Sequence, residues 1–224
     1  MSIDDGISPA EFEAAAGVGE WSVLGDGACS YFETRSLALG ARLVEAIAAI
    51  PGMEAHAPDI DVRPDGVTVR LITVEDGAYG FSRRDVERAR RISAAARGLG
   101  LSGDRSRVQG LLVIPGGPDR AAIRPFWQAV LGYKPRADEP ETDLVDPRNR
   151  GTALWLERMQ APRADGGGAI HLAVWVPPEQ AEARVAAALA AGGRLVRDDF
   201  APSWWTLADA AGNECDVATT RERR

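Results

Sequence analysis

Two stretches in the second half of this chain, Gln109-Gly-Leu-Leu-Val-Ile-Pro115 and His171-Leu-Ala-Val-Trp-Val-Pro177, share one shape: a polar residue, an apolar run, then proline. Such a repeat restricts the fold strongly, because one copy cannot bury its apolar face alone and must pack against the other. The runs have strand length and are rich in Val, Leu and Ile. A helix-compatible segment follows each, at 119–132 and 178–193, and each ends at glycine (Gly132; Gly192-Gly193). Strand-like segments come next, at 133–139, 142–147 and 152–159 in the first copy and at 193–200, 204–210 and 213–219 in the second. The second half is therefore expected to be two βαβββ units in tandem, whose curved sheets form a cleft.

The first hundred residues alternate helices with pairs of strands. Ser8 with Glu11 three positions on has the spacing of a capping box. Segments 21–27 and 28–35 flank Gly25-Asp26-Gly27, and the alternating run 58–73 turns at Pro64-Asp65-Gly66; both read as hairpins. Helical spacing runs over 36–52 and over 82–100, the latter opening on Ser82. This pattern predicts an α+β module with helices on an antiparallel sheet. The polar stretch 101–106 suggests a boundary, giving modules 1–104 and 105–224.

The 26 Lys and Arg against 33 Asp and Glu give a net charge of −7, which excludes a broad nucleic-acid footprint. Arg83, Arg84, Arg88, Arg90 and Arg91 do bunch, but Asp85 and Glu87 interleave with them, the pattern of a solvated helix face. Two cysteines, Cys29 and Cys215, are too few for a disulfide framework. The acidic N-terminus lacks signal-peptide order, and no apolar run is long enough to cross a bilayer. A cytoplasmic protein with no membrane partner is expected.

The stretch His56-Ala-Pro-Asp-Ile-Asp-Val-Arg63 through Ser82-Arg-Arg-Asp85 resembles the pterin-4a-carbinolamine dehydratase family, across residues 8–100. That family dehydrates 4a-hydroxytetrahydropterins with a cluster of histidines and has an aspartate opening its final helix. His56, Pro58 and Asp85 match. Ala57 stands at the second histidine position, Val74 at the third, and Pro64 replaces an aromatic. Expelling a hydroxyl requires a proton donor and a proton acceptor, roles that suit imidazole and that alanine and valine cannot fill. The resemblance thus implies a pterin ligand near His56, Pro58 and Arg70, with catalysis either lost or left to His56 and Asp85.

Residues 107–220 resemble a glyoxalase/bleomycin-resistance domain of the vicinal oxygen chelate superfamily. The carrying features are the tandem repeat, Phe126-Trp127…Leu131-Gly132-Tyr133, and Asp209-Ala-Ala-Gly212-Asn213. Metal-dependent members place a ligand on the first and last strand of each unit. The resemblance puts Gln109 and His171 at first-strand sites, Asp216 at one last-strand site and Glu157 at the other. Trp155, on the same strand face as Glu157, competes with it for that equivalence. One imidazole and three oxygens would suit a divalent ion that polarises substrate oxygens. Trp155 and Trp175 are candidates to line the cleft.

Together these readings predict a small-molecule-binding or lyase-type protein centred on the second module's cleft. Two alternatives stay open: a 4a-hydroxytetrahydropterin dehydratase with a reduced site, and a non-enzymatic protein that sequesters a drug-like ligand. Strands flanking 28–34 or 67–73 are expected to leave an edge, and family resemblance favours a homodimer.

Overall fold

A computed structural model describes residues 5–75, 78–159, 170–208 and 214–221. The chain divides between Val108 and Gln109 into two compact units. Antiparallel pairing of Gly103 and Asp104 with Phe32 and Tyr31 ties residues 103–104 into the first unit, so the division falls after the polar stretch rather than within it.

The first unit runs β1 (Gly6–Ile7), α1 (Pro9–Ala14), β2 (Ser22–Leu24), β3 (Gly27–Glu33), α2 (Leu37–Ala48), a 3₁₀ turn (Glu54–His56), β4 (Asp59–Val62), β5 (Gly66–Leu71), β6 (Thr73–Glu75), β7 (Ala78–Ser82), α3 (Arg83–Gly98) and β8 (Gly103–Asp104). An antiparallel sheet has the order β2-β3-β5-β4, with β8 beside β3, and a smaller sheet has the order β1-β7-β6. Both expected hairpins form, pairing Leu24 with Gly27 and Val62 with Val67. Gly27 has φ +145°, and a Cβ there would sit 2.7 Å from the Leu71 carbonyl oxygen, so only glycine closes this turn. The Ser8–Glu11 capping box is present. Phe12, Trp21, Phe32, Leu43, Ile47, Val69, Leu71 and Ile92 fill one core between sheet and helices. Each such side chain contributes about 1.5–3 kcal/mol by burial.

The second unit runs β9 (Gly110–Gly117), α4 (Arg120–Leu131), β10 (Lys134–Pro135), β11 (Asp143–Val145), β12 (Leu154–Trp155), β13 (Glu157–Arg158), β14 (Ile170–Trp175), α5 (Ala181–Ala190), β15 (Arg194–Arg197), β16 (Trp204–Ala208) and β17 (Glu214–Ala218). Both copies are strand, helix, then further strands. Their sheets join at β9 and β14 into one sheet, ordered β10-β11-β12-β9-β14-β17-β16-β15, with β13 continuing beside β9. The second copy reverses the strand order of the first, so the repeats are related as by a two-fold axis between β9 and β14. Gly132, at φ +65°, ends α4 in the left-handed conformation. Val174, Val217 and Leu207 face α5, and Gly117 meets Ile123 of α4. Strand alternation then sends His171, Ile114 and Asp216 to the opposite, helix-free face. The segment Asp209–Asn213, one of the motifs above, lies outside the described residues. No described helix is long and apolar enough to cross a membrane.

Candidate functional site

Three of the four expected metal ligands meet on the helix-free face. Glu157 sits opposite Gly116 of β9, His171 opposite Ile114, and Asp216 beside Ala173 of β14. These positions share one side of the sheet because each is an even number of residues from the next along its strand or directly paired across it. Glu157 Oε2 lies 3.7 Å from Nδ1 of His171, and Asp216 Oδ2 lies 3.5 Å from its Nε2. Buried Thr206, paired with Asp216 in register, donates a 2.6 Å hydrogen bond to Oδ1 and fixes that carboxylate. The His171 side chain is 20% exposed.

Burial disfavours the charged form of His171, but the Asp216 hydrogen bond and the charges of Asp216, Glu157 and Glu214 outweigh it, so its pKa is raised above 6.5. Asp216 accepts from Nε2–H, while Glu157, at 3.7 Å, acts on the ring through its charge; both favour the imidazolium.

The expected metal set is not assembled. Gln109 precedes β9 at the end where Gly110 pairs with Trp175, five residues before Ile114 and therefore roughly 16 Å from His171 along the strand. Its Oε1 accepts instead from Arg184 of α5 at 3.3 Å. The cause is the antiparallel pairing of two equivalent strands, which sends equivalent residues to opposite ends. The remaining three also do not fit one ion. A metal takes one ring nitrogen, and the two carboxylates face different nitrogens that point apart. Among the described residues, no group of three His, Cys, Asp or Glu is arranged to hold a metal.

The two tryptophans part company. Trp155 is 38% exposed and turns to the face opposite that of Leu154, the side that carries His171. Trp175 is 4% exposed and four positions beyond His171, so it packs in the core instead of lining a ligand surface.

In the first unit, His56 ends the 3₁₀ turn, and its Nε2 lies 3.1 Å from the Ile72 carbonyl oxygen. A carbonyl cannot donate, so Nε2 carries the proton and the lone pair of the neutral ring is on Nδ1. Asp85, fully buried, caps α3: its Oδ2 accepts from the Ser82 amide (2.8 Å), Ser82 Oγ (2.8 Å) and Thr73 Oγ1 (2.6 Å). Its Oδ1 accepts from Arg88 Nη1 at 3.3 Å. That carboxylate is committed to structure. Arg70 is likewise engaged, by Asp26 (2.7 Å) and Asp59 (2.8 Å), which pins the first hairpin turn to β4 and β5. Pro58 is half-buried, while Ala57 and Val74 are exposed.

A family model described as pterin 4 alpha carbinolamine dehydratase matches residues 5–95, and one described as a glyoxalase-like domain matches residues 113–218. No curated protein matches. Among solved structures, an NAD-dependent benzaldehyde dehydrogenase from Legionella pneumophila is similar at 16% identity and TM-score 0.37, over 49% of this chain and 97% of that one. A glyoxalase/bleomycin resistance protein/dioxygenase superfamily member from Vibrio splendidus 12B01 is similar at 16% identity and TM-score 0.33, over 50% and 99%. The chain carries a pterin-4a-carbinolamine dehydratase-like domain followed by a glyoxalase-like domain.

Proposed function

We propose that the chain binds a small organic molecule on the helix-free sheet face of its glyoxalase-like domain and performs lyase-type acid–base chemistry there through His171. The observation that carries this reading is the placement of one imidazole between Glu157 and Asp216. The two carboxylates favour the charged ring, whose Nδ1–H, facing Glu157 across 3.7 Å, can hydrogen-bond to, or protonate, a ligand oxygen or nitrogen and recover the proton afterwards. Trp155 supplies an exposed flat apolar wall on the same face. No step runs through a metal, because the donors do not converge.

In this reading the first domain is a scaffold without turnover. Ala57 and Val74 cannot transfer protons, and Asp85 is occupied by four hydrogen-bond donors.

The test is a thermal-shift screen of small carbonyl and aromatic compounds on wild type, His171→Ala and Trp155→Ala. A ligand at 100 times its Kd stabilises by about 2.7 kcal/mol, a readable shift. Stabilisation of wild type that disappears in both variants is expected. A compound recovered unchanged marks sequestration; a converted one marks catalysis. If no compound stabilises wild type, or stabilisation survives His171→Ala, the reading fails.

A further inference from the structure

The arginine-rich stretch of α3 has the sequence pattern of a solvated face, yet part of it lines a groove. A cavity of about 200 Å³ lies between the loop after α2 (Ile50, Pro51, Gly52, Met53) and the first half of α3, where Arg84, Glu87, Arg88 and Arg91 line it. The α3 residues follow the i, i+3, i+4, i+7 spacing that puts side chains on one helix face.

We propose that this groove binds a small organic anion, an oxyanion head on a compact apolar body, separately from the His171 site. The first support is charge: three guanidinium groups line one cavity with a single lining carboxylate, in a chain whose net charge is −7. The second is donor geometry. The Arg88 side chain is only 12% exposed, and among the described residues one of its five N–H groups is engaged, on Asp85 Oδ1 at 3.3 Å. Arg91 donates Nε–H to Glu87 at 3.0 Å and Nη1–H to the Pro51 carbonyl at 3.2 Å, which holds its fork beside the loop. Guanidinium forks match carboxylate and phosphate oxygens bidentately. The third is the wall: Ile50, Pro51 and buried Met53 are apolar, and they suit the body of such a ligand. The volume falls below the roughly 300–1,000 Å³ of drug-sized sites, which limits the occupant to a fragment-sized molecule.

Glu87 is the internal competitor. It pairs with Arg91 at 3.0 Å and Arg90 at 3.8 Å, so an incoming oxyanion takes the remaining Arg91 N–H groups against the Glu87 charge. This fixes a sign that a folding defect cannot imitate: removing the Glu87 charge tightens binding.

Isothermal titration calorimetry of the full chain at low salt, with phenyl phosphate, inorganic phosphate and phenol as probes, tests the site. Phenyl phosphate is expected to bind one per chain, more tightly than inorganic phosphate, and phenol to give no heat. Arg91→Gln should weaken phenyl phosphate about tenfold, and Glu87→Gln should tighten it roughly threefold or more. Arg88→Gln should weaken it too, but it also strips Asp85 of its cation, so Arg91→Gln and Glu87→Gln are the decisive variants. His171→Ala should leave this affinity unchanged. Absence of phenyl phosphate binding at millimolar concentration, or an affinity indifferent to both Arg91→Gln and Glu87→Gln, overturns the proposal.

Discussion

Glu157, on the last strand of the first repeat, and His171, on the first strand of the second, meet with 3.7 Å between Oε2 and Nδ1. The contact exists because β13 and β14 both flank β9, which brings the end of one repeat beside the start of the next. Asp216 completes the arrangement from the other side of the ring.

The raised pKa of His171 makes the first prediction. The chain has two histidines, so NMR titration resolves His171 against His56. His171 should titrate above 6.5, and Asp216→Asn should lower its value more than Glu157→Gln, since Asp216 also hydrogen-bonds the ring. A folded pKa above the unfolded value adds stability that is complete below about pH 6.5 and lost as pH rises through the folded value. Stability that grows across that window, or a His171 pKa at or below 6.5, would contradict the geometry.

Metal content gives the second. After dialysis against zinc, manganese or nickel and removal of excess ion, elemental analysis should find well under one equivalent per chain. His171→Ala should leave that figure unchanged. One tightly held ion lost in His171→Ala would mean that Glu157 and Asp216 rotate onto one ring nitrogen.

Local rules carried most of the fold. The repeat announced both βαβββ units, and Ser8 with Glu11 announced its helix start, because capping and periodicity depend on neighbours in sequence. What stayed hidden depended on register and burial. Gln109 and His171 are equivalent in the repeat, yet pairing Trp175 with Gly110 separates them, and no local pattern encodes that pairing. Trp155 and Trp175 look alike as strand aromatics; only the packed structure exposes one and buries the other. Asp85 matched a family position, but its hydrogen bond to Thr73 reveals a structural role.

That role yields the third prediction. Asp85→Ala removes the cap of α3 and leaves buried Thr73, Ser82 and largely buried Arg88 without their acceptor. The loss of a buried, paired carboxylate should cost about 3–5 kcal/mol, read in urea unfolding of the first domain. Asp85→Asn, which retains one acceptor oxygen, should cost less. A change under about 1 kcal/mol in Asp85→Ala would show that the network contributes little.

Assembly is the fourth. In the main sheet of the first domain, β2 and β4 are the outer strands of the order β2-β3-β5-β4. Edge backbone groups favour pairing with a second chain, and a homodimer is expected at tens of micromolar by light scattering. Substituting Ile60→Pro in β4 removes an edge N–H and should shift the mass toward monomer if β4 is the paired edge. A monomeric wild type would count against dimerisation altogether.

The fifth prediction concerns dehydration, where the family model that the first domain matches and the domain's residues disagree. Nε2 of His56 is given to the Ile72 carbonyl, and Ala57 and Val74 offer no group that transfers protons. Wild type should turn over little 4a-hydroxytetrahydropterin, since each acid–base group is worth about 10²–10⁴-fold and two are replaced. Both replaced positions are exposed, so histidine fits at either without disturbing the core. Ala57→His with Val74→His should raise the rate more than the sum of the single changes, because donor and acceptor act as a unit. Robust wild-type turnover abolished by His56→Ala would reverse the assignment and make His56 the centre of a working reduced site.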